Sequence, residues 1–319
     1  MYDFCSDYDF EINRIVSSIC RHKAKRVVLQ AAEGFQRCLT YIVEEIRDRI
    51  KDVEVFVSAN PSYGSCLVDE FSVAELNADL LIHIGHDEYP FYKPRIPVVF
   101  VRAEYRYSED VAKALSEIVD EDVCVVSSYQ HVQLAQRIAQ EKRAKYLGIV
   151  LGCVQPDVRG CKRIVVVAGG DFHCVALALK YYNAAEHILC FDPYTSRQWS
   201  VTKEVEHLLR VRMWKVFRCI DARKWLIVDG FYGQSRPKLV NEIVDRIRAL
   251  GGTAVVAKAL RIDEAVLRNL GVESFDCVVI TACPRIAIDD LSKMETPVLT
   301  PGEALMVLNR RFDRYVYPW

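Results

Sequence analysis

Short runs of β-branched and aliphatic residues alternate with amphipathic stretches, and the alternation starts afresh twice along the chain. Residues 27–29 read as a strand, after which Leu39, Val43, Ile46 and Ile50 recur at the spacing of one helix face. Strands at 53–57, 80–84 and 98–101 complete the first cycle. The second runs from a strand at 123–126 through a helix that turns Val132, Ala135, Ile138 and Ala139 inward. Strands at 146–151 and 164–167, a helix at 176–181 and a strand at 188–191 follow. The third opens with a strand at 225–228, continues with a helix lined by Leu239, Ile243, Val244, Ile247 and Leu250, and adds strands at 254–256 and 278–280. Strands that alternate with helices in this way build parallel sheets covered by helices. The expected fold is α/β, made of three similar Rossmann-like units at residues 1–110, 111–220 and 221–319. The seams fall near 105–120 and 215–224, and neither carries a Pro/Gly-rich linker, so the units are expected to pack tightly.

The cysteines carry the chemistry. Each expected unit ends a strand in a turn that bears one. The first reads Pro61-Ser-Tyr-Gly-Ser-Cys66, the second Leu151-Gly-Cys153 and the third Thr281-Ala-Cys283-Pro. In open α/β sheets, ligands sit beyond the carboxyl ends of the strands. Three such units about a pseudo-threefold axis would aim three thiolates at a central point. Thiolate is a soft ligand that suits iron–sulfur clusters, zinc or copper(I). Three ligands on a four-iron cluster leave one iron open for a substrate. No C-x-x-C is present, which argues against a local zinc ribbon. The competing reading is that all 12 cysteines are buried thiols; Cys161 and Cys174, in loop-like contexts, are rival ligands, and disulfides stay open as an alternative for a chain from a hyperthermophile.

Charge and hydropathy narrow the function further. The 42 Lys+Arg and 43 Asp+Glu leave a net charge of -1, which excludes a global affinity for polyanions, and no direct nucleic-acid partner is expected. No uncharged apolar run reaches the ~18 residues of a membrane span. The acidic start lacks the apolar core of a signal peptide, so a cytoplasmic protein without a membrane partner is expected. The basic runs 21–26 and 210–218 read as solvated faces, with docking of a protein substrate as the alternative. His83 and His86 form an H-x-x-H pair that reads as structural, because no third ligand adjoins it. The aromatic tail 315–319 is expected to pack on the body or on a subunit seam.

The turns around the three cysteines resemble those of the diphthamide-biosynthesis radical enzymes, the 2-(3-amino-3-carboxypropyl)histidine synthases. Gln30-Ala-Ala-Glu33-Gly34, the Cys66 turn with Val68-Asp69, and His83-Ile-Gly-His86 resemble their first unit. Leu151-Gly-Cys153, Gly169-Gly-Asp-Phe-His173 and Asp192-Pro-Tyr194 resemble the second. Gly233-Gln-Ser-Arg-Pro237, Thr281-Ala-Cys-Pro-Arg285 and Pro297-Val-Leu-Thr-Pro301 resemble the third. Ala32 stands where the family usually has Pro, and Leu67 and Asp87-Glu88 also depart from the common pattern.

The resemblance implies a [4Fe-4S] cluster on Cys66, Cys153 and Cys283, with S-adenosylmethionine as cosubstrate. It implies transfer of a 3-amino-3-carboxypropyl group to the imidazole C2 of a histidine on translation elongation factor 2, a small electron donor, and a homodimer of the archaeal type. Gly169 and Gly170 would let backbone N–H groups approach the cosubstrate, or merely form a strand-to-helix turn. His173 would contact the cosubstrate or the incoming histidine, or pack in the core. Asp192 would face the cleft or cap a helix. Gln234 would hold the ribose or amino-acid portion, and Arg285 would pair with the carboxylate or lie in a surface ion pair. Two other readings are a quinolinate-synthase-like condensing enzyme and a non-catalytic partner subunit that bears a cluster.

Overall fold

The computed structural model describes residues 3–182 and 187–318, with chain contacts that divide it into two compact units. Residues 1–117 and 129–138 make the first unit; residues 118–128 and 139–319 make the second.

The first unit is built on a parallel sheet in the order Glu54–Val57, Arg26–Ala31, Leu80–Ile84, Val98–Val101. The two central strands are almost wholly apolar and buried, as expected when helices cover both faces of a parallel sheet. The helix Leu39–Arg49 buries Leu39 and Ile46 as the spacing indicates, but with Ile42 beside them; Val43, read as part of that face, is half-buried, and Ile50 lies past the helix end. Beneath it Tyr8, Phe10 and Phe35 pack edge to face, with Tyr8 and Phe35 centred 4.9 Å apart.

The second unit carries two sheets. One has the order Arg197–Ser200, Ile188–Asp192, Arg163–Val167, Val123–Ser127, Lys145–Ile149, parallel except for its first strand. The other has the order Thr253–Lys258, Lys224–Asp229, Cys277–Ile280, Val298–Leu299 and is parallel throughout. The helix Val132–Glu141 begins in the first unit, and Val132, Ala135, Ile138 and Ala139 are all buried as the pattern requires. The helix Pro237–Ala249 starts on a proline, whose missing N–H is not needed in a first turn. It buries Val240, Ile243, Val244 and Ile247, whereas Leu250, read as part of the same face, lies past the helix end and is 49% exposed.

Helix Thr202–Arg218 overturns the solvated reading of the basic run 210–218. Arg212 and Lys215 are buried, while Trp214 and Phe217 face solvent. Arg212 is sealed in because every part of its guanidinium finds an acceptor. Its Nε donates to Glu303 at 2.7 Å, and its terminal nitrogens donate to Glu303 and to the carbonyls of Ala287 and Val298. Glu303 is itself buried and accepts hydrogen bonds from the Thr300 backbone N–H and the Tyr315 hydroxyl. Burial opposes both charges, yet the pair holds Arg212 protonated and keeps Glu303 below the usual carboxylate range. Lys215 donates to the carbonyl of Ser292, and burial followed by the charge of Arg212 brings it down to about 8. Tyr315 and Tyr317 pack on the core of this unit as the aromatic tail implies; Trp319 lies outside the described residues.

Eight cysteines are paired, at Cys5–Cys38, Cys124–Cys161, Cys174–Cys190 and Cys219–Cys277. This corrects the reading of them as buried thiols. Neighbouring elements bring each pair to Cα separations of 5.7–6.1 Å, well inside the range a disulfide spans.

Replacing Glu303 with Gln should leave the buried Arg212 charge uncompensated and lower the unfolding free energy by about 3–5 kcal/mol. Arg268→Gln, which breaks only exposed pairs to Glu264 and Glu273, should leave the urea midpoint unchanged.

Candidate functional site

Each candidate ligand follows the carboxyl end of a parallel strand. Cys153 follows Lys145–Ile149, and Cys283 follows Cys277–Ile280. In the first unit Cys66 lies in the loop after Glu54–Val57. These three and the exposed Cys20 are the free cysteines among the described residues; the rivals Cys161 and Cys174 are in disulfides.

Cys153 and Cys283 come together in the second unit. Burial, and then the neighbouring Cys153 thiolate, push the Cys283 thiol up to about 12. Two half-buried sulfurs that repel each other as thiolates favour a cation held between them, since coordination deprotonates a thiol outright. The donor set is soft, which suits iron–sulfur chemistry. Among the described residues, no three His, Cys, Asp or Glu side chains gather tightly enough to hold a single metal ion.

Other expected residues surround this pair. The ring of Phe172 packs on Gly152, where an added Cβ would sit 2.5 Å from it. The Arg285 guanidinium stacks 5.1 Å from the centre of the Phe172 ring, and its Nε lies 3.6 Å from Asp289. Its side chain is 57% exposed, so it is free to turn toward a ligand. His173 begins the same helix as Phe172, and its Nδ1 is sealed from solvent with no hydrogen-bond partner. Burial, then the charge of Arg285, lower its pKa to about 4, so it is a neutral imidazole at pH 7.

Asp192 closes its strand and organises two turns. One oxygen accepts the Gly170 N–H at 3.2 Å and the other the Tyr194 N–H at 2.8 Å. Gly169 lies under the Tyr194 ring, with room for no Cβ, and Gly170 takes φ +67°. Gln234 is buried and packs on Gly230, as does Ala282, the residue before Cys283.

Sequence reasoning passed over Asp229. It accepts from Thr281 at 2.6 Å, Ser235 at 2.9 Å, the Arg236 N–H at 3.1 Å and Lys258 at 2.9 Å. Although burial works against its charge, these donors hold its carboxyl below the usual range. It thereby ties the Gln234 loop to the strand end that leads to Cys283. An acid closing a strand immediately before Gly230 was the available signal.

The Cys66 loop is set by a separate buried network. Gln30 donates to the Leu67 carbonyl at 2.9 Å and accepts the Asp69 N–H, which fixes its amide orientation. Its oxygen therefore faces a protonated Nδ1 on His83, 3.1 Å away. Burial, then His86, keep His83 neutral, so its Nε2 accepts from His86 Nδ1 at 3.3 Å. The H-x-x-H pair is thus hydrogen-bonded structure, as its spacing implies. A Cβ on Gly64 would meet both His86 Nε2 and Cys66 Sγ within 3.8 Å, so the network ends at the cysteine turn.

Neutral His173 gives the fold a signed pH dependence. The unfolded chain takes up a proton near 6.5 while the folded chain resists until about 4. This contribution is complete above pH 6.5 and is lost as pH falls toward about 4. Urea midpoints at pH 7 and pH 5 should therefore differ less in His173→Asn than in the unsubstituted protein.

The family described as "Putative diphthamide synthesis protein" matches residues 31–318. The human 2-(3-amino-3-carboxypropyl)histidine synthase subunit 1 is 29% identical over 98% of this chain and 75% of its own length. The 2-(3-amino-3-carboxypropyl)histidine synthase of Pyrococcus horikoshii is 28% identical over 94% of this chain and 90% of its own. Among solved structures, Dph2 from Pyrococcus horikoshii with a 4Fe-4S cluster superposes with TM-score 0.82 at 26% identity, covering 97% of this chain and 94% of that one.

Proposed function

This chain belongs to the diphthamide synthesis protein family, and from that premise we propose that it is a 2-(3-amino-3-carboxypropyl)histidine synthase working with a [4Fe-4S] cluster and S-adenosylmethionine. The observation that supports the reading is the pair of thiols Cys153 and Cys283, near enough for the charge of one to act on the other, after two strand ends of a chain whose other described cysteines, Cys66 and Cys20 apart, are in disulfides. Cys66 is the third ligand, and one iron stays open. The three α/β units at 1–110, 111–220 and 221–319 stand about a pseudo-threefold axis with the cluster at its centre.

When bound, such a cluster would supply one electron to the sulfonium, whose bond to the methionine Cγ would break to release methylthioadenosine; the 3-amino-3-carboxypropyl group would bond to C2 of a histidine of translation elongation factor 2 as the C2 hydrogen leaves as a proton and one electron returns to the cluster. The protein's own residues bind and orient. Arg285 leaves its loose pairing with Asp289 for the cosubstrate carboxylate, a bidentate match to a guanidinium. His173, being neutral, offers the cosubstrate a hydrogen bond without placing a second positive charge beside a sulfonium. Asp192 holds the Gly169–Gly170 turn in the shape that lets backbone approach the nucleoside. Gln234, clamped beside Ala282, meets the ribose or amino-acid portion. Phe172 and Tyr317 exclude water from the thiol pair. A small donor would reduce the cluster at the outset, and the enzyme acts as a cytoplasmic homodimer. Among the described residues no helix is long and apolar enough to cross a membrane.

Anaerobic reconstitution should give a chain that carries about four irons with a reduced-cluster EPR signal, and that converts S-adenosylmethionine and dithionite to methylthioadenosine. Cys66→Ala, Cys153→Ala and Cys283→Ala should each lose the iron and the signal, while Cys20→Ala keeps both. Iron retained in all three single variants would overturn the ligand set.

A further inference from the structure

Tyr317 lies far along the chain from either thiol of the second unit, yet its hydroxyl donates to the carbonyl of Gly152, 2.8 Å away, immediately before Cys153. The ring is buried, and its environment includes both Cys283 and Cys153. Gly152 is already pressed on one side by Phe172. The loop that presents Cys153 is otherwise held by Gln155, which donates to the Leu151 and Gly152 carbonyls at 3.0 and 2.9 Å, and by the Leu151 N–H to Val154. All of these are local. Tyr317 ties the loop to an element 165 residues away in the chain.

The segment that delivers Tyr317 is itself anchored. Tyr315 donates to the buried Glu303 at 2.7 Å, the Gly302 N–H donates to the Pro318 carbonyl at 3.0 Å, and the Val316 backbone lies directly on Gly302. A Cβ at Gly302 would sit 2.5 Å from the Val316 carbonyl oxygen, so only glycine admits this path. Glu303 in turn holds Arg212, which donates to the Ala287 carbonyl in the turn after Cys283. One continuous set of hydrogen bonds therefore reaches from the backbone beside Cys153 to the backbone just after Cys283.

We propose that Tyr317 is a positioning residue for Cys153: through the 315–318 segment it holds the Gly152–Cys153 loop in register with Cys283. The proposal rests on the reading of these cysteines as ligands for the purpose of that register, but the ordering of the loop is measurable without metal. Tyr317→Phe keeps the ring and removes only the hydroxyl. In the metal-free chain it should raise the rate at which iodoacetamide labels Cys153, and the amide hydrogen exchange at residues 151–154, roughly three- to tenfold, the share of one buried hydrogen bond. Labelling of Cys66, which belongs to the other compact unit, should not change, and neither should the thermal midpoint beyond a few degrees. Gly302→Ala, which displaces Val316 without touching the hydroxyl, should produce the same selective rise at Cys153. After reconstitution, a chelator should strip iron from Tyr317→Phe several-fold faster than from the unsubstituted protein.

Unchanged Cys153 labelling in both variants would overturn the proposal, as would equal acceleration at Cys66, which would mean general loosening. If the unsubstituted protein binds no cluster, the proposed function fails on that result alone. The labelling comparison still decides whether Tyr317 orders the loop.

Discussion

The second unit depends on one buried ion pair. An arginine and a glutamate taken out of water lose hydration worth several kcal/mol each, and attraction between them repays this only with good geometry and no donor left over. Arg212 and Glu303 meet that condition. Both guanidinium edges are used, two backbone carbonyls complete the arginine, and Thr300 and Tyr315 complete the glutamate. Because the partners come from helix Thr202–Arg218, the turn after Cys283, the end of strand Val298–Leu299 and helix Pro301–Leu308, the pair fixes four pieces of chain at once.

Around the thiols, the same economy of charge appears. Neither Cys283 nor His173 is comfortable as an ion in the metal-free chain: burial drives the thiol toward its protonated form and the imidazole toward its neutral form. The charge beside them is Arg285, stacked on Phe172 and paired with Asp289 through a long contact. These groups contrast with the carboxylates of Asp192 and Asp229, whose hydrogen bonds shape the neighbouring loops.

The first unit solves the equivalent problem with neutral side chains and a single carboxylate, Asp69. Gln30, His83 and His86 form a chain whose donor and acceptor directions are fixed from one end, because the amide of Gln30 is oriented by two backbone groups. Asp69 clamps the same loop through Ser58, Asn60 and the Ser72 N–H. Two unrelated polar networks thus hold cysteine turns at the carboxyl ends of parallel strands.

Periodicity in the sequence was enough to determine most of the strands, though not Arg197–Ser200 or Val298–Leu299, the inward face of the helix at 132–141 and half of that at 39–49, and the placing of Cys66, Cys153 and Cys283 after strands, because these follow from local spacing and from the rule that α/β loops beyond strand ends carry ligands. It could not reveal that Arg212 and Lys215 point inward while Trp214 and Phe217 point out, since their partners Glu303, Ala287, Val298 and Ser292 are more than seventy residues away. Nor could it show which cysteines pair, or that Asp229 and Tyr317 serve the two thiol loops of the second unit. Local pattern reports whether a side chain prefers water; whether a charge is buried, a thiol is spent in a disulfide, or a hydroxyl meets a particular carbonyl depends on groups that only the folded chain brings within hydrogen-bonding distance.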